Sequence, residues 1–231
     1  GETLAGEPLL NDVYGIVLEG IPGGTTFTTV WEVFMNNWGG GVFDSDGKPN
    51  LDTPENIAAL TFWADLWKFA PPGQAEYSLI DVPTVMGNGI AAQTIAFSDF
   101  VLGVDKPGGG AFAGKFVYGG IPYNADNPEA RSAGGEPSLM ALSIHSKNQE
   151  ATYLFMQWMI DKATQAKQVA AGGGGVPIRR SSFDLDVMSE TTRLSLYNAM
   201  ATSLQYVRAK PKAPNFFEID STMAPLVQQV G

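Results

Sequence analysis

The sequence predicts an α/β fold with a mostly parallel sheet. Three observations lead there. Strand-like apolar runs at 12–18, 90–97, 115–121 and 138–144 alternate with stretches of helical periodicity. The run from Ile90 to Phe97 lacks strict alternation, as in a strand covered on both faces. The 231 residues, 44% hydrophobic and 16% charged, suffice for one large domain or two lobes with a buried core.

The elements follow in order. Asp12 to Leu18 reads as a strand, and Ile21 to Thr26 as a Gly/Pro/Thr-rich loop. Phe27, Val30, Phe34 and Met35 then recur at helical spacing up to Trp38 and the glycines after it. Asp44-Ser45-Asp46-Gly47 is a turn; Lys48 and Pro49 break the register a calcium loop would need. Asp52-Thr53-Pro54-Glu55 starts a helix with Asp52 as the expected cap and Ile57, Leu60, Ala64 and Trp67 as its buried stripe. A further helix is expected from Tyr77 to Met86, stopping at Gly87, and a Gly/Pro loop at 103–110. Ser146 with Gln149 forms a capping box for a long helix, with Ala151, Leu154, Phe155, Trp158 and Met159 inward and a break near Asp161. The run Gly172 to Gly175 closes that region. Helices at 189–207 and 221–230 flank the proline-rich crossover Lys210 to Asn215.

Composition excludes several function classes. A formal net charge of -10 disfavours nucleic acid and anionic lipid, which need clustered Lys and Arg. Without cysteine there is no disulfide, thiolate metal site or cysteine nucleophile. The single histidine, His145, allows no multi-histidine metal site or catalytic pair and reads as the end of a strand. Neither metal nor cofactor is expected. The tetraglycine run lacks a Gly-Lys-Ser/Thr continuation and is no phosphate loop. Nothing at residues 1–12 looks like a signal peptide, and no apolar run is long enough to span a bilayer.

Four short stretches occur in a telling order: Gly87-Asn88-Gly89-Ile90-Ala91-Ala92; Gly119-Gly120-Ile121-Pro122; Ala133-Gly134-Gly135 running into Ser146-Lys147-Asn148-Gln149-Glu150-Ala151; and Val176-Pro177-Ile178-Arg179. Together they resemble the later part of the extracellular solute-binding proteins of ABC importers, in the sugar and polyol branch similar to maltose-binding-type proteins. The resemblance runs from about Tyr14 onward. It implies a type II periplasmic-binding-protein-like fold of two lobes, with the first lobe largely missing. Residues 1–121 and 176–231 would then belong to the second lobe, and 122–175 to the first. It further implies a periplasmic or membrane-anchored extracellular location, with an export signal upstream. The expected protein is monomeric and non-catalytic, holds a sugar or polyol, and delivers it to a membrane permease.

Sugars are recognised by aromatic faces on C–H surfaces and by planar polar groups bridging hydroxyls. Trp67 and Trp158 read as core. Trp31 and Trp38 flank a helix bounded by glycine-rich loops, where similar sugar binders line the cleft with an aromatic; packing is the competing role. Asp99 follows the strand ending at Phe97, where open α/β sheets place ligand groups, and it serves equally as a helix cap. Gly134, Gly135 and Glu136 match a place where relatives bring backbone and one side chain to the sugar. Glu136 stands where many of them carry an aromatic, and a plain turn explains it as well. Arg179 matches the family's Pro-x-Arg segment; it either binds hydroxyls or pairs with an acid such as Asp184. Two other classes compete with the transporter reading. One is a carbohydrate-active enzyme using Asp99 and Glu136 as an acid/base pair. The other is a lobe that binds nothing by itself.

Overall fold

The computed structural model describes residues 3, 4, 7, 8 and 13–231, except 24, 25, 101–104, 106, 107, 137, 172–175, 185 and 187–193. The tetraglycine run, Asp12, and the start of the helix expected at 189 therefore lie outside the described residues. In chain order the main elements are β1 (Thr3–Leu4), β2 (Glu7–Pro8), α1 (Thr26–Asn37), α2 (Pro54–Trp67), α3 (Asp81–Gly87), β3 (Ala133–Gly135), α4 (Gln149–Met159), α5 (Lys162–Ala170), α6 (Leu194–Ser203), β4 (Val207–Ala209) and α7 (Phe216–Gln228). They sort into two units. The larger is built from Gly1–Phe116, Ile121–Gly135 and Ser203–Gly231, and the smaller from Val117–Gly120 and Glu136–Thr202.

The larger unit is organised around Trp63, whose side chain is fully buried. Phe27, Trp31 and Phe34 of α1 meet its ring edge-on, with centroids 5.8, 5.8 and 5.2 Å away. Each such pair contributes roughly 0.5–1.5 kcal/mol beyond area burial. Leu18, Val42, Ala59 and the α7 residues Met223, Ala224 and Val227 close the cluster. The helical register of α2 differs from the expected one. Its buried residues are Asn56, Ala59 and Trp63, while Ile57 faces solvent. Leu60 and Trp67 of the expected stripe still pack against the core, half-buried, but its centre is Trp63, and Ile57 is left in solvent. The cap also moves by one: Thr53, not Asp52, accepts the Asn56 N–H, with Pro54 in the first turn. α1 ends as expected, because Gly39 adopts φ 90°, a left-handed conformation that stops the helix without a Cβ penalty.

Parallel pairing is present in two places. Tyr14 and Val17 bridge Ala91 and Thr94, and Val17 and Ala91 pack on Val82 and Val85 of α3. β3 and β4 form a second parallel pair, in the register Ala133↔Val207, Gly134↔Arg208 and Gly135↔Ala209. The expected strands at 115–121 and 138–144 are not strands among the described residues. Val117, Leu139 and Ile144 are 94%, 87% and 82% exposed there, so the apolar side chains gain no burial and the backbone is open to water rather than paired in a ladder. The turn at 44–47 forms around Asp44, whose carboxylate accepts the N–H groups of Asp46 and Lys48, both at 2.9 Å.

In the smaller unit α4 buries no residue at all. Leu154, Phe155 and Trp158, read from the sequence as an inner face, are exposed, and the Phe155 and Trp158 rings lie together at 5.7 Å. The apolar periodicity is real, but nothing described in the unit covers it. The helix starts at Gln149 without a side-chain cap, so the expected Ser146 box is absent; Gln149 instead donates to the Ile144 carbonyl. The break near Asp161 is present: this residue caps α5 through the N–H groups of Ala163 and Thr164. α6 gives way at Ser203 to a 3-10 turn and β4, so the helix read through 207 ends earlier. α7 begins at Phe216, five residues before the expected start.

Candidate functional site

The larger unit holds five of the expected site residues. On α1, Thr29 and Val33 share one face, and a Cβ added to Gly134 would lie 3.1 and 3.2 Å from their methyl groups, so β3 lies against that face. Trp31 sits between them in sequence and thus points the other way, into the Trp63 cluster, where it is 4% exposed. Trp38, at the far end of α1, is partly buried; its ring lies 4.7 Å from that of Phe62, and its carbonyl accepts from Asn127. Gly135 approaches β4 closely, since a Cβ there would stand 2.4 Å from Cγ1 of Val207. Asp99 is exposed, in helical conformation with its neighbours Ser98 and Phe100. The other two residues belong to the smaller unit. Glu136 is exposed. Arg179 is exposed and donates through Nε to the Ile160 carbonyl, while its own carbonyl accepts from Ser182 at 3.0 Å.

A polar cluster that sequence reasoning missed stands at the carboxyl end of the β3–β4 pair, the end at which α/β sheets bind ligands. Lys210 follows β4 directly. Its ammonium donates to Thr28 Oγ1 at 3.3 Å, lies 3.8 Å from the Asp220 carboxylate and sits 5.5 Å from the centre of the Phe216 ring. Thr28 in turn donates to Asp220. Two residues earlier in α1 and pointing to the other side of the helix, Thr26 makes a separate pair, donating to the buried Glu19 at 2.6 Å. The cluster brings an ammonium, a carboxylate and a hydroxyl together beside the first turn of α1, with the Lys210 and Asp220 side chains 17% and 5% exposed. Groups of this kind donate to and accept from hydroxyls. A signal for it was available: Asp220 interrupts the apolar stripe Phe216, Met223, Ala224 and Val227 of α7, and a lone acid on such a stripe requires a partner.

The larger unit also has a cavity of 610 Å³ lined by Tyr14, Trp67, Pro72, Gln74, Glu76 and Gln228, among others. Its amides are committed to the fold. Gln74 both accepts from and donates to the Leu18 main chain, and Gln228 donates to the carbonyls of Gly20 and Ala75. None of the expected site residues lines it; in the strand-end cluster Thr28 and Asp220 are likewise committed to each other, and Lys210 is the partly exposed group. Among the described residues no group of acidic, His or Cys side chains is arranged to hold a metal ion.

No protein-family model and no curated protein matches the sequence. Solved structures do. A solute-binding protein of an ABC transporter from Agrobacterium radiobacter, in complex with ribitol, matches with a TM-score of 0.75 and 27% identity over 94% of this chain and 54% of its own. T. maritima MalE3 with maltose bound matches with a TM-score of 0.75 at 19% identity, covering 94% of this chain and 55% of its own. An ABC-transporter solute-binding protein from Agrobacterium vitis with bound D-mannitol gives 0.66 at 20% identity, over 94% and 55%. The chain has the fold of an ABC-transporter solute-binding protein. This solute-binding fold is the type II periplasmic α/β architecture expected from the sequence, and the chain spans about half the length of the structures it matches. The Agrobacterium proteins are described as solute-binding proteins of ABC transporters. No helix among the described residues is long and apolar enough to cross a membrane.

Proposed function

We propose that this chain acts in the substrate-binding component of an ABC importer, which captures a sugar or polyol between two lobes outside the cytoplasmic membrane and passes it to a permease. The observation that carries this is the 27% identity to a ribitol-bound solute-binding protein along 94% of the chain. In the strand-end cluster of Thr28, Lys210 and Asp220, the partly exposed Lys210 ammonium is the member whose chemistry suits a hydroxyl. Of the contacts expected from sequence, Asp99, Glu136 and Arg179 present exposed polar side chains, Gly134 and Gly135 offer backbone, and Trp38 is the stacking candidate; Trp31 is committed to Trp63. Lobe closure around such a ligand is a population shift driven by contacts made only in the closed form.

The proposal keeps 122–175 as a contribution to the first lobe, although 122–135 group with the larger unit and only the stretch from Glu136 onward lies in the smaller one. The uncovered face of α4, with Leu154, Phe155 and Trp158, supports that assignment: it is the surface on which the rest of a full-length lobe would pack. The same observation favours a second reading, that the 231-residue chain folds but holds ligand only within a complete two-lobed protein.

Titration calorimetry and thermal shift with ribitol, D-mannitol and maltose separate these. A ligand at one hundred times its dissociation constant adds about 2.7 kcal/mol to stability. A selective upward shift for one of them supports the binding function. A flat response from folded chain, together with binding by a two-lobed protein containing it, supports the second reading. No response from either sinks the sugar and polyol assignment.

A further inference from the structure

We propose that Arg131 is a positioning residue which sets the register of β4 on β3 and so holds Lys210 in the strand-end cluster. The β3–β4 ladder has only three residue pairs. β3 is secured independently, because Ser132, just before it, exchanges two hydrogen bonds with the buried Asn37 of α1, at 2.8 and 2.9 Å. β4 is exposed along its length. A ladder this short is marginal by itself, and a slip of one residue moves the strand by about 3.3 Å. That displacement would take Lys210 off Thr28 and Asp220, since the residue follows β4 without a spacer.

Arg131 stands where such a slip would begin. Its guanidinium lies over the ring of Tyr206, at 4.2 Å, immediately before β4, and over the ring of Tyr123, at 4.8 Å. The same two segments are tied again, two residues before Tyr123 and three before Tyr206, by the Ile121 N–H donating to Ser203 Oγ at 3.3 Å. A guanidinium has two flat faces and can take one ring on each; an ammonium is a point charge and cannot stack in this way. The clamp therefore depends on the shape of arginine as well as on its charge.

The test is amine labelling of the folded 231-residue chain with acetic anhydride, read at Lys210 by mass spectrometry, with melting temperature followed in parallel. Arg131→Ala is expected to raise the Lys210 labelling rate about tenfold, the combined size of two partly exposed cation–π contacts. Arg131→Lys should fail to restore protection, and Tyr206→Phe should keep it because the ring face survives. Labelling that stays at the wild-type rate in Arg131→Ala, or full protection in Arg131→Lys, overturns the proposal. If Arg131→Ala does not fold, Tyr206→Leu carries the same test by removing one face of the clamp.

Discussion

Replacing Asn37 by alanine tests how the larger unit is held together. Asn37 is 1% exposed; its amide donates to the Val33 carbonyl at 2.6 Å and the Ser132 carbonyl at 2.8 Å, and accepts the Ser132 N–H at 2.9 Å. The Val33 bond lies within α1 and its loss is minor. The Ser132 bonds join α1 to a segment 95 residues away, and Ser132 is itself 1% exposed, so water cannot replace them without opening the structure. Two orphaned backbone groups at roughly 1–3 kcal/mol each give an expected loss of about 3–4 kcal/mol. Urea unfolding followed by circular dichroism measures this, with hydrogen exchange of the Ser132 to Gly135 amides as the local readout. Exchange there should quicken ahead of that in α2. A loss below about 1 kcal/mol, with β3 amides as protected as before, would refute the reasoning.

Other substitutions test the packing. Gly135→Ala should cost about 1–3 kcal/mol, because its Cβ would meet Cγ1 of the stiff Val207 at 2.4 Å; Val207→Ala in the same chain should recover much of that in urea midpoints. Trp63→Ala should cost about 3–5 kcal/mol, and Trp158→Ala less than about 0.5 kcal/mol, since one side chain is fully buried and the other 56% exposed. Asp81 accepts first from the Ser78 hydroxyl and then from its backbone N–H, which holds its carboxyl below the ordinary carboxylate range. A lowered folded value means the pairing stabilises above the unfolded pKa and is lost as pH falls through the folded one. An NMR titration of Ser78→Ala should therefore show the Asp81 carboxyl moving upward.

The helices were legible where local chemistry decides them: Pro54 and Glu55 open α2, Gly39 ends α1, and Asp161 breaks α4 from α5. The parallel pairing of 14–17 with 91–94 agrees with the expected parallel character, but the run at 90–97 is not covered on both faces: Ile90, Ala92 and Gln93 are exposed. Errors arose where tertiary context decides. Trp63 took the centre of the α2 interface, leaving Leu60 and Trp67 at its margin and Ile57 in solvent, and the apolar rows at 138–144 and on α4 form no interior in the described residues. Periodicity states which face is apolar but not whether something covers it. For the candidate site, sequence pointed to residues beside glycines, whereas the buried cluster joins Thr28 to Lys210 and Asp220, more than 180 residues away in the chain. Only the interruption of the α7 stripe by Asp220 betrayed it.

The tryptophans also give the chain an optical division of labour. Trp31, Trp38, Trp63 and Trp67 all belong to the larger unit, mutually packed and shielded, while Trp158 alone lies in the smaller unit, with more than half its surface in water. Intrinsic emission therefore combines a blue component from one unit with a red component from the other. The red edge should be quenched by iodide long before the blue edge responds, so each unit can be followed separately in the unlabelled protein.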